Sequence, residues 1–255
     1  MILLRDDNYE RLTDINKCWY KGVCDKFQTE KCSFNCKKFT QTDYLFQLSN
    51  LPKSMWKPIK LSTEYLEPDV SEILNTVITD CEFFVKKGFN LYLYGEPGCG
   101  KTSWAVKIMN GYFSYVAEQN DFRTRGLYVS VPSFLRDAKM FLVTKSENFK
   151  EFLETIKVCD IVIWDDVGQT DTTNFESQWL YSYINERIFA KKCNIFTSNL
   201  SPDELRKHDE RLESRICTGS DCLHIEGLDM RFTNTYTYFM NSEEVVEFGS
   251  DSDAE

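Results

Sequence analysis

The stretch that decides the fold reads Leu91-Tyr-Leu-Tyr-Gly-Glu-Pro-Gly-Cys-Gly-Lys-Thr102. Its apolar start predicts a buried strand, its glycine-rich middle a tight loop, and its end the first turn of a helix. The glycines let backbone N–H groups turn inward towards an anion, to which the helix presents its positive N-terminal end. Lys101 is then placed to reach the β- and γ-phosphates of a nucleoside triphosphate, and the Thr102 hydroxyl to bind Mg²⁺. The expected nucleotide-binding residues are Gly95, Glu96, Pro97, Gly98, Cys99, Gly100, Lys101, Thr102 and Ser103.

Acidic and polar residues follow two further predicted strands. The run from Cys159 to Trp164 ends in Asp165 and Asp166, and the next predicted strand ends in Asn199. Carboxyl ends of parallel strands form the edge where ligands bind, so we expect Asp165 to hold Mg²⁺ beside Thr102. Asp166 is the candidate that orients or deprotonates the attacking water, and Asn199 a candidate contact to the γ-phosphate or that water. A turn or helix cap is the alternative interpretation of all three.

Composition bounds the class of protein. The chain has 255 residues and a formal net charge of −10, which argues against coating duplex DNA by bulk electrostatics. No apolar segment has the length of a signal-peptide core, and none approaches 18 consecutive apolar residues. We therefore expect a cytoplasmic protein with no membrane partner.

The N-terminal region is rich in cysteine. Of the ten cysteines, Cys18, Cys24, Cys32 and Cys36 lie close together, whereas the others are scattered. Without a secretion signal a disulfide framework is not expected, and four nearby thiolates predict a tetrahedral Zn²⁺ site. The alternative is four unrelated free thiols. We expect residues 1–47 to form a small zinc module.

The rest of the chain divides by composition. Residues 48–68 contain three prolines and three lysines and predict a linker. Strands alternate with helices across 69–240, beginning with one helix from Asp69 to Lys87 that Gly88 ends. This alternation predicts an α/β domain with a parallel sheet. Residues 241–255 are acidic and predict a disordered tail.

In this order the motifs resemble AAA+ ATPases, and more closely the bacterial helicase loaders of the DnaC and DnaI type with their phage-borne relatives. The matching segments are Tyr94–Thr102, Ile161–Gly168, Ile195–Asn199, Arg211–Ile216 and Gly227–Arg231. The resemblance covers about residues 50–235. It implies a P-loop AAA+ core with a parallel five-stranded sheet flanked by helices, without a helical lid after the last strand.

The resemblance also implies a role for each matching residue. Lys101 and Thr102 belong to the Walker A motif, Asp165 and Asp166 to Walker B, and Asn199 is sensor 1. Arg215 resembles the arginine finger that reaches a neighbouring subunit's ATP, with Arg211 as second choice. Arg231 resembles the sensor 2 arginine.

The implied function is ATP-dependent delivery of a hexameric replicative DNA helicase onto single-stranded DNA, in the bacterial cytoplasm. The Cys-rich arm would bind the helicase, the chain would self-associate on it, and Arg123, Arg125, Phe134 and Lys139 are candidate DNA contacts. Most relatives have Glu where Asp166 stands, so slow hydrolysis is expected, stimulated by assembly or DNA.

Three alternatives stay open. A transposition ATPase of the same subfamily would favour a basic N-terminal region. A nucleotide-switch adaptor with negligible turnover is compatible with Asp166. A small-molecule P-loop kinase leaves Arg215 and Arg231 without a role.

Overall fold

A five-stranded parallel sheet forms the centre of the protein, as predicted. The computed structural model describes residues 15–18, 21, 24–33, 36–56, 61–119, 123–169 and 173–227. Along the sheet the strands follow the order β2-β3-β4-β1-β5. The strands are β1 (Asn90–Tyr94), β2 (Gly126–Ser130), β3 (Ile161–Asp165), β4 (Cys193–Ser198) and β5 (Ser220–His224).

Helices connect the strands and cover both faces of the sheet. No helix within the described residues is long and apolar enough to span a membrane. The α-helices are α1 (Lys37–Leu48), α2 (Pro68–Thr79), α3 (Cys81–Lys87), α4 (Lys101–Val116), α5 (Val131–Thr144), α6 (Glu147–Val158), α7 (Asn174–Phe189), α8 (Pro202–His208) and α9 (Glu210–Cys217).

Two apolar cores lie on opposite faces of the sheet. Strand residues alternate between faces, so Leu91 and Leu93 join the core beneath α1–α4, while Tyr92 joins the core beneath α5–α9. All five residues of β3 are buried. Burial on both faces explains why this strand reads as a continuous apolar run rather than an alternating one.

The predicted helix from Asp69 to Lys87 is two helices. The chain breaks at Asp80, whose side chain accepts a hydrogen bond from the N–H of Phe83 at 3.2 Å and so caps α3. Gly88 does end α3, with φ of 69°. A Cβ there would lie 2.1 Å from the carbonyl oxygen of Lys191, so no larger residue fits.

The predicted linker at 48–68 differs most from the structure. Helix α1 crosses the expected boundary after residue 47, and Phe46, Leu51 and Trp56 are buried in the core beneath α1–α4. Phe46 stacks on Trp56 with ring centroids 5.6 Å apart and meets Phe113 edge-on at 5.1 Å. The prolines and lysines suggest a solvated connection, but buried aromatic rings hold this segment to the α/β core.

The predicted zinc site is not supported. Cys18, Cys24, Cys32 and Cys36 are all half-buried, and none of them forms a disulfide bond. Among the residues that the structure describes, no group of three or more His, Cys, Asp or Glu side chains is arranged to hold a metal ion. Four thiolates are a donor set that Zn²⁺ accepts, but their arrangement here gives the predicted site no support. The predicted acidic tail and the region after the last strand, where no lid is expected, lie outside the described residues.

Candidate nucleotide-binding site

The glycine-rich loop joins the carboxyl end of β1 to the N-terminus of α4. Gly95 and Gly100 both have positive φ angles, 146° and 97°. A Cβ on Gly95 would lie 2.3 Å from the carbonyl oxygen of Ile225, a distance that real Cβ atoms do not reach. Glycine at these positions therefore gives the loop the close, left-handed path that a phosphate cradle needs.

Lys101 is buried at the start of α4, with a relative exposure of 6%. Its ammonium donates to the carbonyl oxygens of Gly95 at 2.8 Å and Glu96 at 2.7 Å. Both acceptors belong to the loop itself, so the positive charge is held inside the curve of the loop. An anionic phosphate entering the loop would compete favourably with these neutral acceptors, because hydrogen bonds between charged partners are stronger.

Asp165 is the last residue of β3 and is surrounded by hydroxyl groups. Its Oδ1 accepts from Thr102 Oγ1 and from Thr197 Oγ1, each at 2.7 Å. Its Oδ2 accepts from the phenol of Tyr128 at 2.6 Å. The carboxylate has only 5% relative exposure, and these three donors compensate its burial.

The oxygens of Thr102 and Asp165 fit Mg²⁺. Hard oxygen donors are what this ion prefers, and two adjacent ligands of an octahedral Mg²⁺ lie about 3 Å apart. The hydroxyl of Thr102 and Oδ1 of Asp165 are 2.7 Å apart, close to that separation. A bound Mg²⁺ would neutralise developing charge on the β- and γ-phosphates.

Asp166 follows in a left-handed backbone conformation, with φ of 64°. Its N–H donates to Thr197 Oγ1 at 3.1 Å, and its side chain is half-buried. A non-glycine residue with positive φ is uncommon, and such strain concentrates at functional sites. The backbone turns at Asp166, so this residue leaves the line of β3 at the same edge of the sheet as Asp165.

Asn199 directly follows β4, at the edge that carries the loop. The register pairs Tyr94, the residue before the loop, with Ser198, the residue before Asn199. Asn199 is half-buried. The parallel pairing of β1 with β4 therefore brings Asn199 to the sheet edge that carries the phosphate loop.

The structure does not bring Arg215 to the loop of its own chain. Its guanidinium lies over the ring of Phe189 at 5.1 Å and approaches the phenol oxygen of Tyr181 at 3.5 Å. Phe189 ends α7 just before the amino end of β4, whereas Lys101 follows the carboxyl end of β1. These positions lie at opposite ends of the sheet. Arg231 lies outside the described residues.

Arg211 lies one turn earlier on α9 and is exposed. Its guanidinium lies over the ring of Tyr181 at 4.8 Å. Arg215 and, to a lesser degree, Arg211 lower the pKa of the Tyr181 phenol, because a hydrogen bond and positive charge favour its ionised form. A cleft of about 760 Å³ borders this surface, lined by Asn174, Ser177, Gln178, Tyr181, Lys207, His208, Asp209 and Arg211.

Two residues of the site, Tyr128 and Thr197, were missed from the sequence. Nothing in the sequence around Tyr128 points to the site, because its partner Asp165 lies 37 positions away. The sequence indicates Thr197 only weakly, as a hydroxyl residue in a strand whose residues are all buried. Burial and the negative charge of Asp165 both raise the pKa of Tyr128, so this phenol remains a protonated donor.

All four candidate DNA contacts have structural partners within the chain. Phe134 is in the core, with 1% relative exposure. The buried Arg125 pairs with Asp160 and donates to the phenol of Tyr112 at 3.0 Å. Lys139 forms an ion pair with Glu176 at 2.8 Å. Arg123 is 59% exposed and lies 3.8 Å from Asp160.

Comparison with known proteins identifies the family. The Bacterial DnaA ATPase domain family matches residues 75–223, more than half of the chain. The replicative helicase loader DnaI of Bacillus subtilis is 31% identical over 123 residues, which span 48% of this chain but only 37% of DnaI.

Solved structures share the fold. A crystal structure of DnaI superposes with a TM-score of 0.56 at 25% identity, covering 70% of this chain and 96% of that one. A crystal structure of the DnaC helicase loader superposes with the same TM-score of 0.56 at 20% identity, covering 69% and 100%. The chain therefore belongs to the bacterial DnaA ATPase domain family and is an AAA+ protein of the DnaC/DnaI type.

Proposed function

We propose that this protein is an ATP-dependent loader that delivers a replicative DNA helicase onto single-stranded DNA in the bacterial cytoplasm. The observation that carries the proposal is the joining of Lys101, Thr102 and Asp165 into one nucleotide site by the 2.7 Å Thr102–Asp165 hydrogen bond. The similarity to the helicase loader DnaI supports the choice of partner.

The chemistry follows from the placement of each group. Lys101 and the loop N–H groups would bind the β- and γ-phosphates, and Thr102 and Asp165 would hold Mg²⁺. Asp166 would orient the attacking water, and Asn199 would contact that water or the γ-phosphate. The side chain of Asp166 is shorter than the Glu that most AAA+ ATPases carry at this place, which favours slow turnover.

Arg215 would complete the site of a neighbouring copy. Its position at the opposite end of the sheet from Lys101 means that it cannot serve its own loop without rearrangement. An arginine supplied in trans stabilises charge in the transition state of phosphoryl transfer. Hydrolysis would then depend on self-association, with the hexameric helicase and single-stranded DNA as the template for assembly.

A nucleotide-switch adaptor with negligible turnover is the second candidate. The short side chain of Asp166 is compatible with it. Measurement of ATP turnover with the helicase and single-stranded DNA present distinguishes the two, since an adaptor would bind ATP but not hydrolyse it.

The nucleotide site is tested with Lys101→Ala, which should abolish ATP binding measured by equilibrium dialysis. Lys107→Ala is the control, because Lys107 lies on the same helix with its ammonium over Trp104 at 4.9 Å. Unchanged ATP affinity in the Lys101 variant would refute the site.

The partner is tested by affinity capture from the native bacterial cell. Recovery of a hexameric replicative helicase with the wild-type chain would support the loader. Recovery of a transposase instead would favour the transposition ATPase.

A further inference from the structure

Tyr128 links the N-terminal part of the chain to the magnesium site. It lies on β2, an edge strand, and its phenol donates to Asp165 Oδ2 at 2.6 Å. Its backbone N–H donates to the carbonyl of Ser49 at 2.7 Å, and its carbonyl accepts from the side-chain amide of Asn50 at 3.0 Å. One residue therefore contacts both the chain segment after α1 and the carboxylate that would bind Mg²⁺.

The segment after α1 is held firmly. Ser49 is fully buried, and its hydroxyl donates to the carbonyl of Phe46 at 2.7 Å while accepting from the N–H of Leu51 at 3.3 Å. Asn50 has a left-handed backbone, with φ of 60°. The bonds to Tyr128 satisfy backbone groups that an edge strand would otherwise leave unpaired.

The two oxygens of Asp165 have different environments. Oδ1 accepts from Thr102, a predicted Mg²⁺ ligand, whereas Oδ2 accepts from Tyr128. The phenol on Oδ2 fixes the rotation of the carboxylate, so that Oδ1 faces the hydroxyl of Thr102. Mg²⁺ demands near-ideal octahedral geometry and is sensitive to that rotation, whereas Ca²⁺ accepts a more variable arrangement of ligands.

We propose that Tyr128 is a positioning residue that holds Oδ1 of Asp165 towards Thr102 for Mg²⁺ binding, and that the Ser49–Asn50 turn sets the position of Tyr128. The inference rests on the proposed nucleotide site. It gives that site a regulator, since a partner that moves α1 would change how tightly Mg²⁺ is held. Hydrogen-bond partners of metal ligands typically affect metal affinity by about 10–100-fold.

The test uses the full chain and the fluorescent nucleotide mant-ADP, which requires no hydrolysis. We expect Tyr128→Phe to leave mant-ADP affinity in EDTA within about twofold of wild type, but to weaken it about tenfold in Mg²⁺. The gain in mant-ADP affinity caused by Mg²⁺ should fall more than the gain caused by Ca²⁺. A purely structural role of the phenol does not predict such a change in metal selectivity.

Tyr112→Phe is the matched control. Tyr112 is also buried, and its phenol donates to Asp160 Oδ2 at 2.9 Å, but Asp160 precedes the amino end of β3. This variant removes an equivalent hydrogen bond at the other end of the same strand. It should leave the Mg²⁺ effect unchanged, and an equal loss in both variants would overturn the proposal.

Asn50→Gly tests whether the Ser49–Asn50 turn positions Tyr128. It also provides an independent test if Tyr128→Phe does not fold. Glycine tolerates the left-handed backbone, so only the side-chain amide is lost. We expect mant-ADP affinity to weaken about threefold in Mg²⁺ and not at all in EDTA, less than the range of about 10–100-fold because the contact is one step further from the metal. Wild-type mant-ADP affinity of Asn50→Gly in Mg²⁺ would overturn the role of the Ser49–Asn50 turn. Failure of wild-type protein to bind mant-ADP would instead refute the nucleotide site.

Discussion

The hydroxyl of Thr102 donates to Oδ1 of Asp165 at 2.7 Å, joining the first turn of α4 to the carboxyl end of β3 across 63 positions of sequence. This bond connects the phosphate loop with the acidic strand end, and its two oxygens are the pair that would coordinate Mg²⁺. The bond therefore brings the two predicted Mg²⁺ ligands together beside the phosphate loop.

Removal of the Thr102 hydroxyl should weaken nucleotide binding only when metal is present. For Thr102→Ala we expect mant-ADP affinity in Mg²⁺ to fall about tenfold or more, with little change in EDTA, because the variant loses a metal ligand but keeps the loop. Thr102→Ser keeps the hydroxyl and is the control. Equal affinities of wild type and Thr102→Ala in Mg²⁺ would contradict the metal assignment.

Arg215→Ala should separate binding from hydrolysis. The variant should bind ATP like wild type, because Arg215 lies away from the loop of its own chain, but should lose helicase-stimulated ATP hydrolysis by about 10³-fold. Mixing it with Lys101→Ala should restore part of the activity, since one copy then supplies the loop and the other the arginine. No rescue under assembled conditions would count against action in trans, and Arg211→Ala serves as comparison.

Arg187 should be essential for stability. It is fully buried and donates to the carbonyl oxygens of Ile156 at 2.5 Å, Cys159 at 2.9 Å and Cys193 at 2.6 Å. Arg187→Met would leave these acceptors unpaired, so the free energy of unfolding in urea should fall by about 3 kcal/mol or more.

The control for this prediction is Arg136→Met, whose side chain is 68% exposed. Its surface ion pair should contribute at most about 1 kcal/mol. Equal stabilities of the two variants would show that the buried hydrogen bonds of Arg187 have little net value.

Glu176 should make stability depend on pH. A hydrogen bond from Lys139, followed by bonds from the backbone and hydroxyl of Thr173, lowers the pKa of this carboxyl to about 2. The unfolded chain therefore takes up the proton first, so the contribution is complete above the ordinary carboxyl pKa and is lost as pH falls towards 2.

The measurement is the thermal midpoint at about pH 6 and about pH 4, just below the ordinary carboxyl pKa. The thermal midpoint of Glu176→Gln should decrease less between these two pH values than that of wild type. Glu147→Gln, at a side chain that is 79% exposed, should decrease as wild type does. A Glu176 variant with the wild-type pH dependence would contradict the prediction.

Local patterns were sufficient to predict the elements that carry chemistry. The loop at Gly95–Thr102, the buried strand ending in Asp165 and the strand preceding Asn199 all depend on residues adjacent in sequence. Glycine conformation, apolar runs and strand-end acids act over a few positions, so they can be read without knowledge of the fold. The break at Asp80 was missed because apolar spacing continued through it while a single cap divided the helix.

The sequence by itself determined a parallel α/β protein with a phosphate loop and an acidic partner strand, because these depend on short-range steric and apolar patterns. Only the tertiary structure decided which hydroxyls surround Asp165 and that α1 belongs to the ATPase core. Strand order is the physical reason. It places β2 and β4 on either side of β3, so Tyr128 and Thr197 reach the same carboxylate, and it leaves the edge of β2 to be covered by Ser49 and Asn50.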